Sequence, residues 1–156
     1  MCWSLRVWTG MPEFKSFGLD ELMLSLEEIA AIPVEVQDEM LNVQADVTLR
    51  AQRESILAHG IYDRDNKGRH VADSLKKSKV KIRKKDQVRV INITPAGSRR
   101  RGNTVTRNAE ILFVNEYGRK DQKARPAIRD ANEKSADRGT MAALEVYDNF
   151  LKSKNL

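Results

Sequence analysis

One stretch of the chain, from Asn108 to Ala131, constrains the fold most because it sets an apolar run, a turn and a helix start in close succession. The apolar run consists of Ala109, Ile111, Leu112, Phe113 and Val114. Such a nearly unbroken run is typical of a strand that is buried on both faces. Gly118 can take a positive φ at the exit of the run, and Pro126 suits the first turn of a helix. We therefore predict a central strand, a glycine turn and a C-terminal helix.

The turn and the helix start also carry a motif. Its residues are Glu116, Tyr117, Gly118, Ala124, Arg125 and Pro126. In this order and spacing they resemble the minor tail-component, or neck, family of long-tailed bacteriophages, which shares Glu-aromatic-Gly followed by Ala-Arg-Pro and a helix. The family pattern continues with an aromatic residue, where this chain has Ala127. The two ends of the intervening loop bring Glu116 and Arg125 into a position where we expect them to pair.

The resemblance implies a structural virion protein rather than a catalyst. Members of this family are expected to form a homo-oligomeric ring at the head–tail junction of a phage or prophage, where the ring joins the connector to the tail and completes the tail end. The implied partners are other copies of the chain and the neighbouring neck, connector and tail proteins. The implied location is the virion, after assembly in the host cytoplasm. The motif residues would then serve the structure of the subunit.

Three helices are predicted from apolar periodicity. Leu19, Leu22, Leu26 and Ile29 recur at helical spacing in a first helix that ends before Pro33. The second helix runs from Pro33 to about His59, with Gly60 as its C-terminal cap. The last helix runs from near Pro126 to about Leu151, with a glycine in its middle that weakens it if exposed. Its predicted apolar face comprises Ala136, Thr140, Ala143, Tyr147 and Phe150, with Leu144 and Leu151 beside them.

Two strands precede the central one. Residues 79–83 alternate between basic and apolar side chains, and residues 87–94 form a second apolar strand. With the arginine-rich loop 98–104 they are predicted to make a long antiparallel hairpin. The predicted class is therefore α+β, with two N-terminal helices, a small antiparallel sheet and a C-terminal amphipathic helix. We assign residues 1–13 to an N-terminal extension, 14–151 to one domain and 152–156 to a frayed tail.

The charge balance is basic, since 28 lysines and arginines face 22 acidic residues and give a net charge of +6. Such a balance permits contact with nucleic acid or with acidic protein surfaces. The alternative function is therefore a small basic nucleic-acid-binding domain. The single cysteine, Cys2, excludes an internal disulfide framework. No apolar run approaches the roughly 20 residues that a membrane span requires, so we expect no membrane contact.

Motifs that carry chemistry are missing from the sequence. It has no phosphate-binding glycine loop, no His-Glu-x-x-His and no Gly-x-Ser-x-Gly. Asp63, Asp65 and Gly68 imitate the start of a calcium loop, but Ser74 stands where the closing carboxylate is needed. We therefore expect no enzyme activity, no cofactor, no metal and no small-molecule substrate.

The arginine-rich loop is the strongest candidate for a contact surface. Its arginines are Arg99, Arg100 and Arg101, and Arg107 follows a few residues later. Arginine is permanently charged and binds phosphates and carboxylates bidentately. The loop is therefore predicted to contact a partner ring or, without sequence preference, the DNA genome as it passes. A plain solvated loop is the alternative interpretation.

Overall fold

A computed structural model of the chain describes residues 32–61 and 71–154. The predicted extension 1–13, the predicted first helix and the calcium-like spacing of Asp63, Asp65 and Gly68 lie outside the described residues. The helices are α1 (Val34–Ala58), α2 (Val71–Ser74), α3 (Asn108–Tyr117) and α4 (Ala127–Ser153). The strands are β1 (Leu75–Lys77), β2 (Lys81–Arg83), β3 (Val88–Val90), β4 (Ile93–Pro95), β5 (Ser98–Arg101) and β6 (Thr104–Arg107). The predicted α+β class is confirmed.

The two long helices begin and end close to their predicted limits. Pro33 precedes α1, and Gly60 follows it with a φ of 66°, which matches the predicted glycine cap. Pro126 is the N-cap of α4. This helix continues through Ser153, so Lys152 and Ser153 are helical rather than part of the predicted frayed tail.

The helices α1 and α4 pack against each other through small side chains. The buried residues of α4 are Ala127, Ala131, Ser135, Gly139 and Ala143, which follow one another at intervals of four. A Cβ on Gly139 would lie 3.2 Å from Cγ of Gln44 on α1, so the two backbones approach closely there. The predicted apolar face is therefore wrong in part, because Ala136, Thr140 and Leu144 are exposed. Small residues dominate this contact, and they give a weak signal in an apolar periodicity.

The strands form two consecutive antiparallel hairpins rather than a three-stranded sheet. In the first hairpin β1 pairs with β4 and β2 pairs with β3. The register shifts by one residue between these two ladders, where Lys79 and Val80 stand opposite Ile91. This extra residue is a β-bulge, which bends a hairpin and increases its twist.

The second hairpin, formed by β5 and β6, carries the arginine-rich segment. Its register pairs Ser98 with Arg107 and Arg101 with Thr104. Gly102 has a φ of 58° at the first position of the two-residue turn, as a type II′ turn requires. The predicted placement of the arginines at the tip of one long hairpin is therefore wrong, because they lie along a separate, shorter one.

The predicted central strand is a helix, α3. Its buried residues are Asn108, Leu112 and Asn115, whose spacing of four and three places them on one helical face. Phe113 is 65 % exposed, so the run is not buried on both faces. The helix start is stabilised by Glu110, whose carboxylate accepts the backbone N–H of Arg107 at 3.3 Å. Local helix capping and the buried polar face therefore outweigh the strand preference of this apolar run.

The core lies where α1 ends, α4 begins and α3 crosses between them. Its buried members are Ile56, Ile61, Val71, Ala72, Leu75, Leu112 and Ala127. Leu49, Ile93, Ile111 and Ile128 are partly buried against this cluster. The segment from Ile61 to Leu75 reads as polar in sequence, yet its two ends provide much of the core.

Candidate interaction surfaces

The motif residues assemble at the junction between α3 and α4. The two carboxylate oxygens of Glu116 accept the backbone N–H groups of Ile128 and Arg129, each at 2.9 Å. These N–H groups belong to the first turn of α4, where a helix leaves its donors without intrahelical partners. Pro126 occupies the N-cap and has no side-chain acceptor to offer. Glu116 therefore replaces the missing N-cap side chain from a different helix, and its charge suits the positive end of the helix dipole.

Gly118 makes the close return of the loop possible. Its φ of 75° and ψ of 179° belong to a region that essentially only glycine adopts. A Cβ there would meet the backbone nitrogen of Ala124 and the carbonyl oxygen of Gln122, each at 2.9 Å. The predicted positive φ is confirmed, although Gly118 ends a helix rather than a strand. The loop is further held by Arg125, whose backbone N–H donates to the carbonyl oxygen of Asn115 at 2.6 Å.

Glu116 and Arg125 do not pair as predicted. The Arg125 guanidinium donates instead to the carbonyl oxygen of His59, at 3.3 Å, and so contacts the end of α1. His59 also places Nε2 3.2 Å from a carboxylate oxygen of Asp130 on α4. Glu116 is occupied by the start of α4, which needs an acceptor more than the exposed Arg125 needs a counter-charge.

Tyr117, the aromatic residue of the motif, belongs to an exposed apolar patch. Its ring centroid lies 4.8 Å from that of Phe113, one helical turn earlier, and Tyr117 is 71 % exposed. A groove of about 290 Å³ adjoins the pair and is lined also by Ile93, Pro95 and Ile128. The apolar run in the sequence identified Phe113 as part of an apolar segment, but as a strand. Only in a helix do Phe113 and Tyr117, four residues apart, share an exposed face.

The arginines of the β5–β6 hairpin lie on two faces. Residues paired across antiparallel strands share a face, and alternate positions point to opposite faces. Ser98, Arg100, Val105 and Arg107 form one face, and all four are exposed. Arg99 and Thr106 pair on the other face and are half-buried. Arg101 pairs through its backbone with Thr104, next to the turn. The four candidate arginines therefore do not form a single surface.

A second basic feature is the β2–β3 hairpin, for which the sequence predicted only an alternation of basic and apolar residues. Lys79, Lys81, Arg83, Lys84 and Lys85 are all exposed on it. The one acidic residue between Leu75 and Arg107 is Asp86, which forms an ion pair with Arg83. This ion pair holds the pKa of the Asp86 carboxyl below its usual value. The hairpin is therefore strongly basic, and its one carboxylate is neutralised within it.

The base of this first hairpin is anchored to α1 by ion pairs. The Nε and Nη2 of Arg89 donate to the two carboxylate oxygens of Asp38, each at 2.6 Å. This bidentate geometry is the strong form of the Arg–carboxylate contact. The hydrogen bonds from Arg89 hold the pKa of the Asp38 carboxyl below its usual value. Lys77 adds a second anchor, with Nζ 2.6 Å from a carboxylate oxygen of Asp46.

Charge is divided between the hairpins and the rest of the chain. Residues 75–107 contain 12 of the 28 lysines and arginines but only one of the 22 acidic residues. The remaining residues therefore hold 16 basic and 21 acidic side chains, so the chain outside the hairpins is net negative. The overall charge of +6 conceals this division. Counting charge by segment finds it in the sequence, whereas counting it over the whole chain does not.

Two properties of the described residues bear on function. Within residues 32–61 and 71–154, no three His, Cys, Asp or Glu side chains are grouped so that they could hold a metal ion. No helix among the described elements is long and apolar enough to cross a membrane.

Comparison of the chain with family models, with characterised proteins and with solved structures finds no match.

Proposed function

We propose that this chain is a structural subunit of a phage or prophage virion, which forms a ring at the head–tail junction and joins the connector to the tail. The observation that carries the proposal is the junction of α3 and α4. The motif residues resembling those of the neck family contribute to one structure there: Glu116 caps α4 and Gly118 adopts a glycine-only conformation. A motif with such interdependent roles requires its order and spacing to be kept.

The distribution of charge supports assembly into a ring. A closed ring with head-to-tail contacts needs two different surfaces of one subunit to be complementary. Basic hairpins and a net-negative remainder supply surfaces of opposite sign on one chain. Partners in the virion would be further copies of the chain and the neighbouring neck, connector and tail proteins.

Sedimentation of the purified protein tests this function. We expect an oligomer of defined mass that is visible as a ring by electron microscopy and that persists from about 0.1 M to about 1 M salt, over which screening lengths fall from about 10 Å to about 3 Å. Deletion of the gene in its phage or prophage should yield heads and tails that do not join. A protein that remains monomeric at all concentrations, with normal particles formed in its absence, would contradict the proposal.

A nucleic-acid-binding domain is the second candidate, and the lysine-rich β2–β3 hairpin favours it. Exposed lysines and arginines neutralise phosphates and release counterions, so binding that they carry weakens steeply with salt. Titration of labelled duplex DNA at several salt concentrations separates the two candidates. Tight DNA binding by a protein that is monomeric at every salt concentration would favour the second candidate. A stable ring that binds DNA weakly would favour the first.

A further inference from the structure

We propose that the exposed face of the β5–β6 hairpin docks on the outer stripe of α4 in a second copy of this chain. This contact would be the interface between subunits of the proposed ring. It rests on the proposed function only in the closure of the subunits into a ring. The hairpin face is the set Ser98, Arg100, Val105 and Arg107. The outer stripe is the set Glu133, Asp137, Met141, Leu144 and Asp148.

The hairpin face sets one apolar residue next to two cations. Val105 is 60 % exposed, so its apolar side chain is available for a contact. Arg100 lies directly opposite Val105, and Arg107 lies two residues further along β6 on the same face. The Nε of Arg100 donates to the carbonyl oxygen of Gly102 at 3.2 Å, which orients the guanidinium at the turn.

The outer stripe of α4 also combines apolar and charged side chains, but with the opposite charge. Its members recur at steps of three and four residues, so they share the face of the helix opposite the small residues buried against α1. Met141 is 69 % exposed and Leu144 is 50 % exposed. Acidic residues flank them at Asp137 and Asp148, and no ion pair within the described part of the chain involves either carboxylate.

The two surfaces therefore complement each other in polarity and in charge. Val105 would lie against Met141 and Leu144, while Arg100 and Arg107 reach the carboxylates on either side. An apolar centre with charged groups around it is the common anatomy of a protein interface. Charge complementarity of this kind also selects the partner and fixes its register.

A second copy fits the stripe better than a nucleic acid does. The stripe is acidic, so it would repel phosphates, and it lies on the same chain as the basic hairpin that attracts carboxylates. Both surfaces are exposed within one subunit, so neither covers the other there. Two different surfaces that bind each other between copies give a head-to-tail contact, which closes into a ring or continues as a filament.

Charge reversal with rescue tests the contact. The variants are Arg100→Glu with Arg107→Glu, Asp137→Lys with Asp148→Lys, and the four substitutions combined in one chain. Each pair alone should raise the apparent dissociation constant of the oligomer by about tenfold or more, since like charges across an interface are strongly disfavoured. The combined variant restores opposite charges and should regain the wild-type oligomer. Lys84→Glu with Lys85→Glu is the matched control, because it changes net charge equally on the other hairpin and should leave the oligomer intact.

Disulfide trapping provides a second measurement that does not depend on charge. Cys2→Ser removes the native thiol; one tagged chain then carries Val105→Cys and a differently tagged chain carries Met141→Cys. Oxidation of the mixture should give a disulfide between the two chains. Ala136→Cys replaces Met141→Cys in the control mixture and should give little of this product, because Ala136 is exposed about 140° around α4 from Met141.

The outcomes separate this inference from the proposed function. If both charge-reversal variants still form the ring, and no disulfide forms between the Val105→Cys and Met141→Cys chains, the inference is overturned while the ring itself remains. Rescue and trapping in a protein that no virion needs would support the contact and overturn the proposed function. Loss of duplex DNA binding in the hairpin variant, without any effect on oligomer mass, would assign the hairpin to DNA and also overturn the inference.

Discussion

The carboxylate of Glu116 on α3 accepts the backbone N–H of Ile128 on α4 at 2.9 Å, so one helix supplies the N-cap of the other. Its second oxygen accepts the N–H of Arg129 at the same distance. The contact fixes the start of α4 relative to α3 across the intervening loop. The buried Ala127 at the start of α4 is thereby held in the core.

Glu116→Ala should destabilise the protein by about 0.5–2 kcal/mol, the range for loss of an N-cap acceptor. Glu116→Gln keeps one acceptor oxygen and should cost less. Urea unfolding followed by circular dichroism measures both. Glu133→Gln, on the exposed face of α4, is the control and should stay within about 0.5 kcal/mol of wild type. Equal stability of Glu116→Ala and the control would mean that the cap contributes nothing.

Gly118→Ala should be more damaging than its small size suggests. The residue lies at φ 75° and ψ 179°, and its Cβ would come within 2.9 Å of two backbone atoms. Backbone strain of this kind costs about 1–3 kcal/mol before any clash is counted. Gly118→Asn should not rescue stability, because asparagine tolerates the left-handed helical region but not this one.

Gly102→Ala, measured like Gly118→Ala by urea unfolding, separates the cost of backbone strain from the cost of a steric clash of the Cβ. Gly102 also has a positive φ, 58°, but a Cβ there would meet nothing within 4 Å. Its substitution should therefore cost less than that of Gly118. The reverse order of the two losses would show that the return of the loop at Gly118 is not as tight as described.

The motif was recognisable in the sequence, but its arrangement was not. Gly118 predicted a turn and Pro126 predicted a helix start, because each residue type has a backbone preference of its own. The partner of Glu116 could not be predicted, since it is a set of backbone N–H groups that any sequence possesses. Similarly, α3 was mistaken for a strand because Ile111, Phe113 and Val114 favour strands locally, whereas the buried Asn108 and Asn115 that define its inner face are polar.

The Asp38–Arg89 ion pair predicts a pH dependence. Arg89 lowers the pKa of Asp38 in the folded protein, so the pair adds stability above the ordinary carboxyl pKa of about 3.9, and this stability is lost as pH falls through the lowered value. Arg89→Met should therefore be less stable than wild type at neutral pH, and the difference should shrink in acid. The Asp86 carboxyl also has a lowered pKa, but both proteins retain it, so its effect cancels.

Unfolding of wild type and Arg89→Met between about pH 2 and 7, which spans the ordinary carboxyl pKa, measures this difference. Lys81→Met, an exposed cation on the neighbouring strand, is the control and should show a small difference that hardly changes over the same range. A difference for Arg89→Met that stays constant into strong acid would mean that the side chain contributes through packing and not through Asp38.

The close approach of α1 and α4 at Gly139 limits the size of the side chain that this position can hold. Alanine is about 1 kcal/mol better than glycine inside a helix, yet its Cβ would lie 3.2 Å from Cγ of Gln44. Because Gln44 is a flexible side chain that can shift, Gly139→Ala should be close to neutral. Gly139→Leu cannot be accommodated in this way and should destabilise by about 1–3 kcal/mol, as overpacking does. Gln44→Ala removes the opposing atoms, so combining it with Gly139→Leu should recover part of the loss. Strict additivity of the two changes in a double-mutant cycle would show that the helices do not meet at this point.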